Sequence, residues 1–188
     1  MNFINFLVNT YFEDIMSNYK ASLTKVNTFI FDYDGVMTDG KVILQHDDPP
    51  LRTANVRDGY VLQLAVRLGY NVVVISGGFS RSMENRFDTL NIKDAFTGVK
   101  NKLEKFEEYI AERHIDPTQV VYMGDDIPDF RVMQKVGVPV CPADAAEEIK
   151  EISVYISDKK GGDGCVRDII EQVLKVQGKW LTEEAFTW

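Results

Sequence analysis

The chain predicts an α/β fold in which a parallel sheet carries helices on both faces. Two observations carry this. Short apolar, β-branched runs alternate along the chain with segments of helical spacing, almost without exception. The runs themselves lack polar alternation, as expected of strands covered on both sides. There are no internal repeats and no linker, so one layered domain accounts for the pattern.

The elements follow in order. Residues 1–24 read as an N-terminal helical extension: Phe3, Ile4, Phe6, Leu7, Tyr11 and Ile15 form an apolar stripe at helical spacing. A domain over 25–178 follows, and then a C-terminal tail over 179–188 that holds Trp180 and Trp188. Within the domain TFIFD (28–32) is the first strand. KVILQHDDPPLRTANV (41–56) has two extended stretches around Asp-Asp-Pro-Pro, which predicts a β-hairpin insertion after that strand. A helix over 58–70 ending near Gly69 leads into the strand NVVVIS (71–76). Then come a helix (80–92), a strand (94–98), a strong helix (101–114) and the strand QVVYMGDD (119–126). A helix over 127–137, the strand VPVCP (138–142), a helix start at AAEEIKEIS, the strand at YIS and a closing helix from Cys165 complete the Rossmann-like order.

Composition narrows the function. The 188 residues are 45% hydrophobic and 27% charged, the balance of a globular protein, with a net charge of −8. No Lys/Arg cluster occurs, which disfavours nucleic acid or an anionic membrane surface as the main partner. A small anionic substrate stays open, since a few local cations or a metal can hold one. No apolar stretch reaches the ~18–20 residues that span a bilayer, and the N-terminus lacks a cationic n-region and cleavage site. Cys141 and Cys165 make no pairing pattern, so a reducing, cytoplasmic setting is expected.

The strand ends carry the chemistry. In a parallel sheet, ligands bind at the carboxyl ends of the strands. Asp32 and Asp34, Ser76, and Asp125 with Asp126 all fall just after a strand, and so are expected to converge. Two acids that close would repel unless a cation or a reaction used them. The ordered fragments are DYDGVMTDG, VISGG, GVKNK and MGDDIPD: strand–DxD, strand–Ser, Lys at a helix start, strand–GDDxxD. Singly each reads as a turn, a cap or a solvated helix residue.

Together these fragments resemble the haloacid dehalogenase superfamily of phosphotransferases over roughly residues 26–175. Within it the chain is similar to the cap-less phosphatases of 3-deoxy-D-manno-octulosonate 8-phosphate (KDO 8-phosphate), through DYDGVMTDG, NVRDGY, GVKNKL, YMGDDIPD and KKGGDGCVRD. The resemblance implies that Asp32 is a nucleophile forming an aspartyl-phosphate and Asp34 the acid and base. It implies that Ser76, its neighbouring backbone N–H groups including Gly77, and Lys102 hold the phosphoryl oxygens. Magnesium is the implied cofactor, ligated by Asp32, the backbone carbonyl of Asp34 and Asp125, with Asp126 and Asp129 behind or beside it. Arg57 is implied to meet a sugar-acid carboxylate.

The spacing supports the absence of a cap domain: 41 residues separate Asp34 from Ser76 and 25 separate Ser76 from Lys102. A neighbouring subunit is then the expected lid. In the resembling family the hairpins build a homotetramer and the glycine-rich late segment, flanked here by Lys159, Lys160 and Arg167, reaches the adjacent site. Gly78 and Asp163 depart from the family pattern and leave the sugar open between KDO 8-phosphate, which NVRDG favours, and a 9-phospho-nonulosonate. A phospho-receiver domain and a non-catalytic scaffold are the rivals. The receiver is disfavoured because Asp34 supplies a hydrolytic group that a long-lived signalling phosphate would not want.

Overall fold

The computed structural model describes residues 19–187. Most of the helical extension expected over residues 1–24 therefore lies outside the described residues. Its end, residues 19–23, is helical. There Leu23 is buried, the Tyr19 ring stacks on Tyr155 at 5.0 Å, and the Tyr19 hydroxyl donates to Gln172 at 3.1 Å.

Six strands form one parallel sheet: β1 (Thr28–Phe31), β2 (Asn71–Ile75), β3 (Asp94–Phe96), β4 (Val120–Met123), β5 (Val138–Cys141) and β6 (Tyr155–Ile156). Their spatial order is β3-β2-β1-β4-β5-β6. Among the described residues, the α-helices after β1 are α1 (Val56–Arg67), α2 (Arg81–Thr89), α3 (Lys102–Arg113), α4 (Ile127–Met133), α5 (Glu147–Ile152) and α6 (Cys165–Val176).

The apolar runs become central strands because both faces are covered. Side chains alternate across the sheet with period two. Phe29 and Phe31 face one core with Leu62 of α1, Phe87 of α2 and Ile169 and Val173 of α6. Ile30 faces the other, with Phe106 and Tyr109 of α3, Val132 of α4 and Ile149 of α5. Truncating a fully buried ring such as Phe31 to Ala would cost about 3–5 kcal/mol.

The chain leaves β1 for β2 on one side and comes back to place β4 on the other, with Phe31 in register with Val74 and Met123. This reversal opens a crevice at the carboxyl ends of β1 and β4, where α/β sheets place ligands.

The expected hairpin over 41–56 is present in its shortest form. Residues 41–55 form no two-stranded ladder; one antiparallel bridge, Ile43 to Leu51, holds them with two N–H···O bonds of 3.0 Å. The last position, Val56, already starts α1, capped by the Asn55 side chain. An isolated hairpin is marginal without a surface to pack on, and Val42, Ile43, Leu44 and Leu51 are all exposed in the single chain.

The tail after α6 docks on α1. The Tyr60 hydroxyl donates to the Ala185 carbonyl, and Arg67 donates to the carbonyls of Glu184 and Thr187 at 3.1 and 2.9 Å. Trp180 packs against the core, under the Arg167 guanidinium at 5.5 Å from its ring.

Candidate active site

The β1 terminus delivers Asp32, whose N–H continues the ladder to the Met123 carbonyl at 3.0 Å and so fixes where the carboxylate points. The side chain is 9% exposed. Lys102, the first residue of α3, reaches across to it: Nζ lies 2.7 Å from Asp32 Oδ1 and 2.7 Å from Asp129 Oδ1. Asp129 sits in the first turn of α4 and is 1% exposed. Its Oδ1 also accepts the Tyr122 hydroxyl at 2.6 Å. A buried ammonium thus joins two buried carboxylates, and a phenol from β4 steadies the second.

Asp125 follows β4 by one glycine and closes the cluster: carboxylate oxygens of Asp32, Asp125 and Asp129 all lie within 4.8 Å of one another. Gly35 makes this approach possible. It holds φ +88, and a β-carbon there would fall 2.0 Å from Asp125 Oδ2.

The cluster is short of positive charge. Burial first, then Asp129, pushes the Asp32 carboxyl up to about 6, although Lys102 works against this. Burial, then Asp32 and Asp129, pushes Asp125 up to about 8. Burial alone would lower the Lys102 ammonium, but Asp129 and Asp32 outweigh it and the net direction is up. Hard oxygen donors in excess of the available cations are the donor set that suits a divalent ion such as Mg²⁺.

The other expected residues are placed as follows. Ser76, 1% exposed at the end of β2, lines the same cavity, and its Oγ accepts the Gly78 N–H at 3.1 Å. Gly77 lines that cavity, whose volume is about 410 Å³ and whose floor is Asp32, Asp125, Lys102 and Asp129. Asp126 is exposed at the rim and caps α4 through the Ile127 N–H at 2.8 Å, a different position from that of Asp129. Asp34 is a third exposed and also lines the cavity.

Arg57 does not line the cavity. It is exposed at the start of α1 and borders a separate hollow of about 860 Å³ with Lys159, Asp163 and Arg167. The reason is its helix: Asn55 caps α1 and its Nδ2 donates to the Gly162 carbonyl at 3.0 Å, which aims position 57 toward the 158–164 loop.

In the single chain, the glycine-rich segment expected to reach an adjacent site lies against residues 35–39. Its turn is packed against its own chain. A β-carbon at Gly161 would lie 1.9 Å from the Gly35 carbonyl oxygen, and Gly162 N–H donates to the Val36 carbonyl at 2.9 Å.

Two residues escaped sequence reasoning. Tyr122 looked like one more strand residue. Arg52 lies in a charged turn region, 18 residues from the group it grips: its Nε and Nη2 donate to Asp34 Oδ1 and Oδ2 at 2.6 and 2.9 Å. No spacing rule links a loop arginine to a strand-end acid.

A family model for haloacid dehalogenase-like hydrolases matches residues 87–169. The KDO 8-phosphate phosphatase of Escherichia coli (strain B / BL21-DE3) is 34% identical over 170 residues, covering 90% of each chain. The chain belongs to that phosphatase family. Its Yersinia pestis member is similar in structure, with a TM-score of 0.84 and 33% identity over 86% of this chain and 88% of that one. So is the Moraxella catarrhalis member, solved with magnesium, phosphate and KDO, at a TM-score of 0.85 and 27% identity over 88% and 95%. The family's cap-less architecture matches the single sheet and open cavity described above, and a phosphoric monoester hydrolase is the activity class it carries.

Proposed function

We propose that this chain is a Mg²⁺-dependent phosphomonoesterase that hydrolyses KDO 8-phosphate to KDO and inorganic phosphate. The observation that carries the reading is the convergence of Asp32, Asp34, Ser76, Lys102 and Asp125 on one cavity in a chain of this family.

Asp32 is the nucleophile. Its carboxylate attacks phosphorus, the bond from phosphorus to the sugar oxygen breaks, and Asp34 gives a proton to that oxygen. Asp34 then takes a proton from water, which attacks the phosphorus of the aspartyl-phosphate and frees Asp32 with release of phosphate. Lys102, held between Asp32 and Asp129, keeps the nucleophile aligned and faces the phosphoryl oxygens that arrive there, with Ser76 and the Gly77 N–H. Asp129 accepts from Lys102, and the Tyr122 hydroxyl donates to Asp129 in turn. Asp32, Asp125 and the Asp34 backbone carbonyl would hold Mg²⁺, with Asp129 beside it. When bound, the ion lowers the repulsion between the attacking carboxylate and the phosphoryl oxygens.

The apolar side chains left bare on the 41–55 loop support assembly. In the proposal they pack against the same loops of other subunits in a homotetramer, which places a neighbour over each open cavity. Light scattering of the intact protein and of a form with residues 43–54 replaced by a short Gly-Ser turn tests this; an intact monomer with full activity would sink it. Both cysteines are free and buried, consistent with the expected cytoplasmic setting, and no described helix is long and apolar enough to cross a membrane.

The activity is tested by phosphate release from KDO 8-phosphate, a 9-phospho-nonulosonate and neutral sugar phosphates, with Mg²⁺ or excess chelator. KDO 8-phosphate should turn over fastest and only with Mg²⁺. Full activity in chelator, or a faster nonulosonate, would overturn the metal or the substrate respectively.

A further inference from the structure

Asp34 is held by another side chain in the state the structure describes. Both of its carboxylate oxygens are taken by one guanidinium, Oδ1 by Nε at 2.6 Å and Oδ2 by Nη2 at 2.9 Å. A guanidinium is only a donor and does not give up a proton. The guanidinium and the proton that Asp34 must carry compete for the same carboxylate, so its proposed work is favoured when Arg52 lets go.

Three features make the grip a built one that can also be released. The Arg52 side chain is only 9% exposed although its loop is exposed, so it is seated rather than solvated. Gly78 leaves the seat open: a β-carbon there would lie 2.8 Å from Asp34 Oδ2 and 3.0 Å from Arg52 Nη2. The loop that carries Arg52 is held by the single Ile43–Leu51 bridge and by the Arg52 Nη1 bond to the Pro50 carbonyl at 3.2 Å, with no ladder to resist a shift.

What could draw the guanidinium away is a second planar anion. With a phosphoryl group at Asp32, Ser76 and Lys102, the leaving oxygen would lie toward Asp34, and Arg52 reaches the cavity through its grip on that residue. The carboxylate of KDO 8-phosphate is C1, at the other end of the carbon chain from the phosphate on C8, so Arg52 would leave Asp34 to meet it, and that carboxylate matches the fork of a guanidinium in the same bidentate way that Asp34 does.

We propose that Arg52 is a specificity-determining residue that exchanges Asp34 for the carboxylate of the substrate, so that only an acidic sugar phosphate uncovers the acid–base group. The inference rests on the reading of Asp34 and of the substrate class given above. It gives to Arg52 the carboxylate recognition that the family resemblance implied for Arg57.

The test compares the full chain with Arg52→Met and Arg52→Lys, using Mg²⁺ throughout. Each is assayed on KDO 8-phosphate, on ribose 5-phosphate and on p-nitrophenyl phosphate, the last two having no carboxylate. The readout is the ratio of kcat/KM for the acid over that for each neutral ester. Loss of a charge-assisted bidentate contact predicts a fall in that ratio on the order of 10- to 100-fold in Arg52→Met, through a raised KM for the acid. Arg52→Lys keeps a charge without the fork and should fall between. Free KDO should inhibit the wild type more strongly than it inhibits Arg52→Met. If Arg52→Met lowers all three substrates in equal proportion, or leaves the ratio where it was, the exchange is wrong. A wild type that hydrolyses none of the three would instead overturn the phosphatase reading itself, so the two failures are distinct. Gly78→Ala gives an independent measure: crowding the seat should loosen Arg52 from Asp34 and lower the ratio in the same direction, and an unchanged ratio counts against the seat.

Discussion

Removing the cation should reveal a stability cost that grows with pH. In the folded chain Asp32 is raised to about 6 from 3.8, by burial first and then by Asp129. A carboxyl raised on folding binds its proton more tightly in the folded state. Its cost is absent below the unfolded value, appears as pH rises past it, and is complete above the folded value. For Asp32 that window runs from 3.8 to about 6, and a shift of about two units corresponds to about 3 kcal/mol. In a chain of this size that is about 6–12 °C in Tm. Asp125, raised to about 8, carries the same trend further toward alkaline pH. Mg²⁺ reverses it by supplying the missing charge. The assay is thermal unfolding across roughly pH 5 to pH 8, in chelator and in saturating Mg²⁺. The gap between the curves is the readout, because all other carboxylates titrate in both. The gap should widen by at least about 6 °C toward the alkaline end, and Asp125→Asn should flatten it while stabilising the metal-free protein. A gap of constant size, or a metal-free Asp125→Asn no more stable than wild type, would refute the reasoning.

Three further outcomes follow from the same geometry. Asp34→Asn removes the proton carrier and should slow turnover on the order of 100- to 10,000-fold while the Mg²⁺-induced rise in Tm persists; wild-type turnover would remove Asp34 from that role. Lys102→Met leaves Asp32 and Asp129 facing each other without their shared ammonium. It should cost about 3–5 kcal/mol in the metal-free protein by thermal or urea unfolding, less at lower pH, and an unchanged midpoint would show that the bridge holds nothing. Gly35→Ala forces a β-carbon to within 2.0 Å of Asp125 Oδ2 at φ +88; it should weaken Mg²⁺ affinity measured by calorimetry, and wild-type affinity would contradict the tight approach.

The sheet was legible because its strands advertise themselves: TFIF and NVVVI are apolar on both faces, and only two-sided burial makes use of that. The acids that end β1 and β4 were equally readable, since topology brings strand ends together whatever lies between. Contacts between elements were not. Lys102 was expected against phosphoryl oxygens, and nothing in GVKNK announces that its ammonium would bridge Asp32 and Asp129. Asp126 and Asp129 read alike in GDDIPD, yet one caps α4 at the surface and the other is buried beneath Tyr122. Arg57 looked the better candidate because it sits in NVRDG, whereas Arg52 reaches Asp34 through a loop with no periodicity to read. The hairpin is short for a physical reason too: its apolar alternation is real, but a single chain gives Leu44 nothing to bury against.

The account stands on Asp32 as the nucleophile. Turnover of KDO 8-phosphate labelled in its phosphoryl group, stopped in acid, should leave label on the protein that hydroxylamine releases and that maps to Asp32. Asp32→Asn should carry no label and lose activity on the order of 1,000-fold or more. An Asp32→Asn protein that still releases phosphate within about tenfold of the wild-type rate would contradict the account.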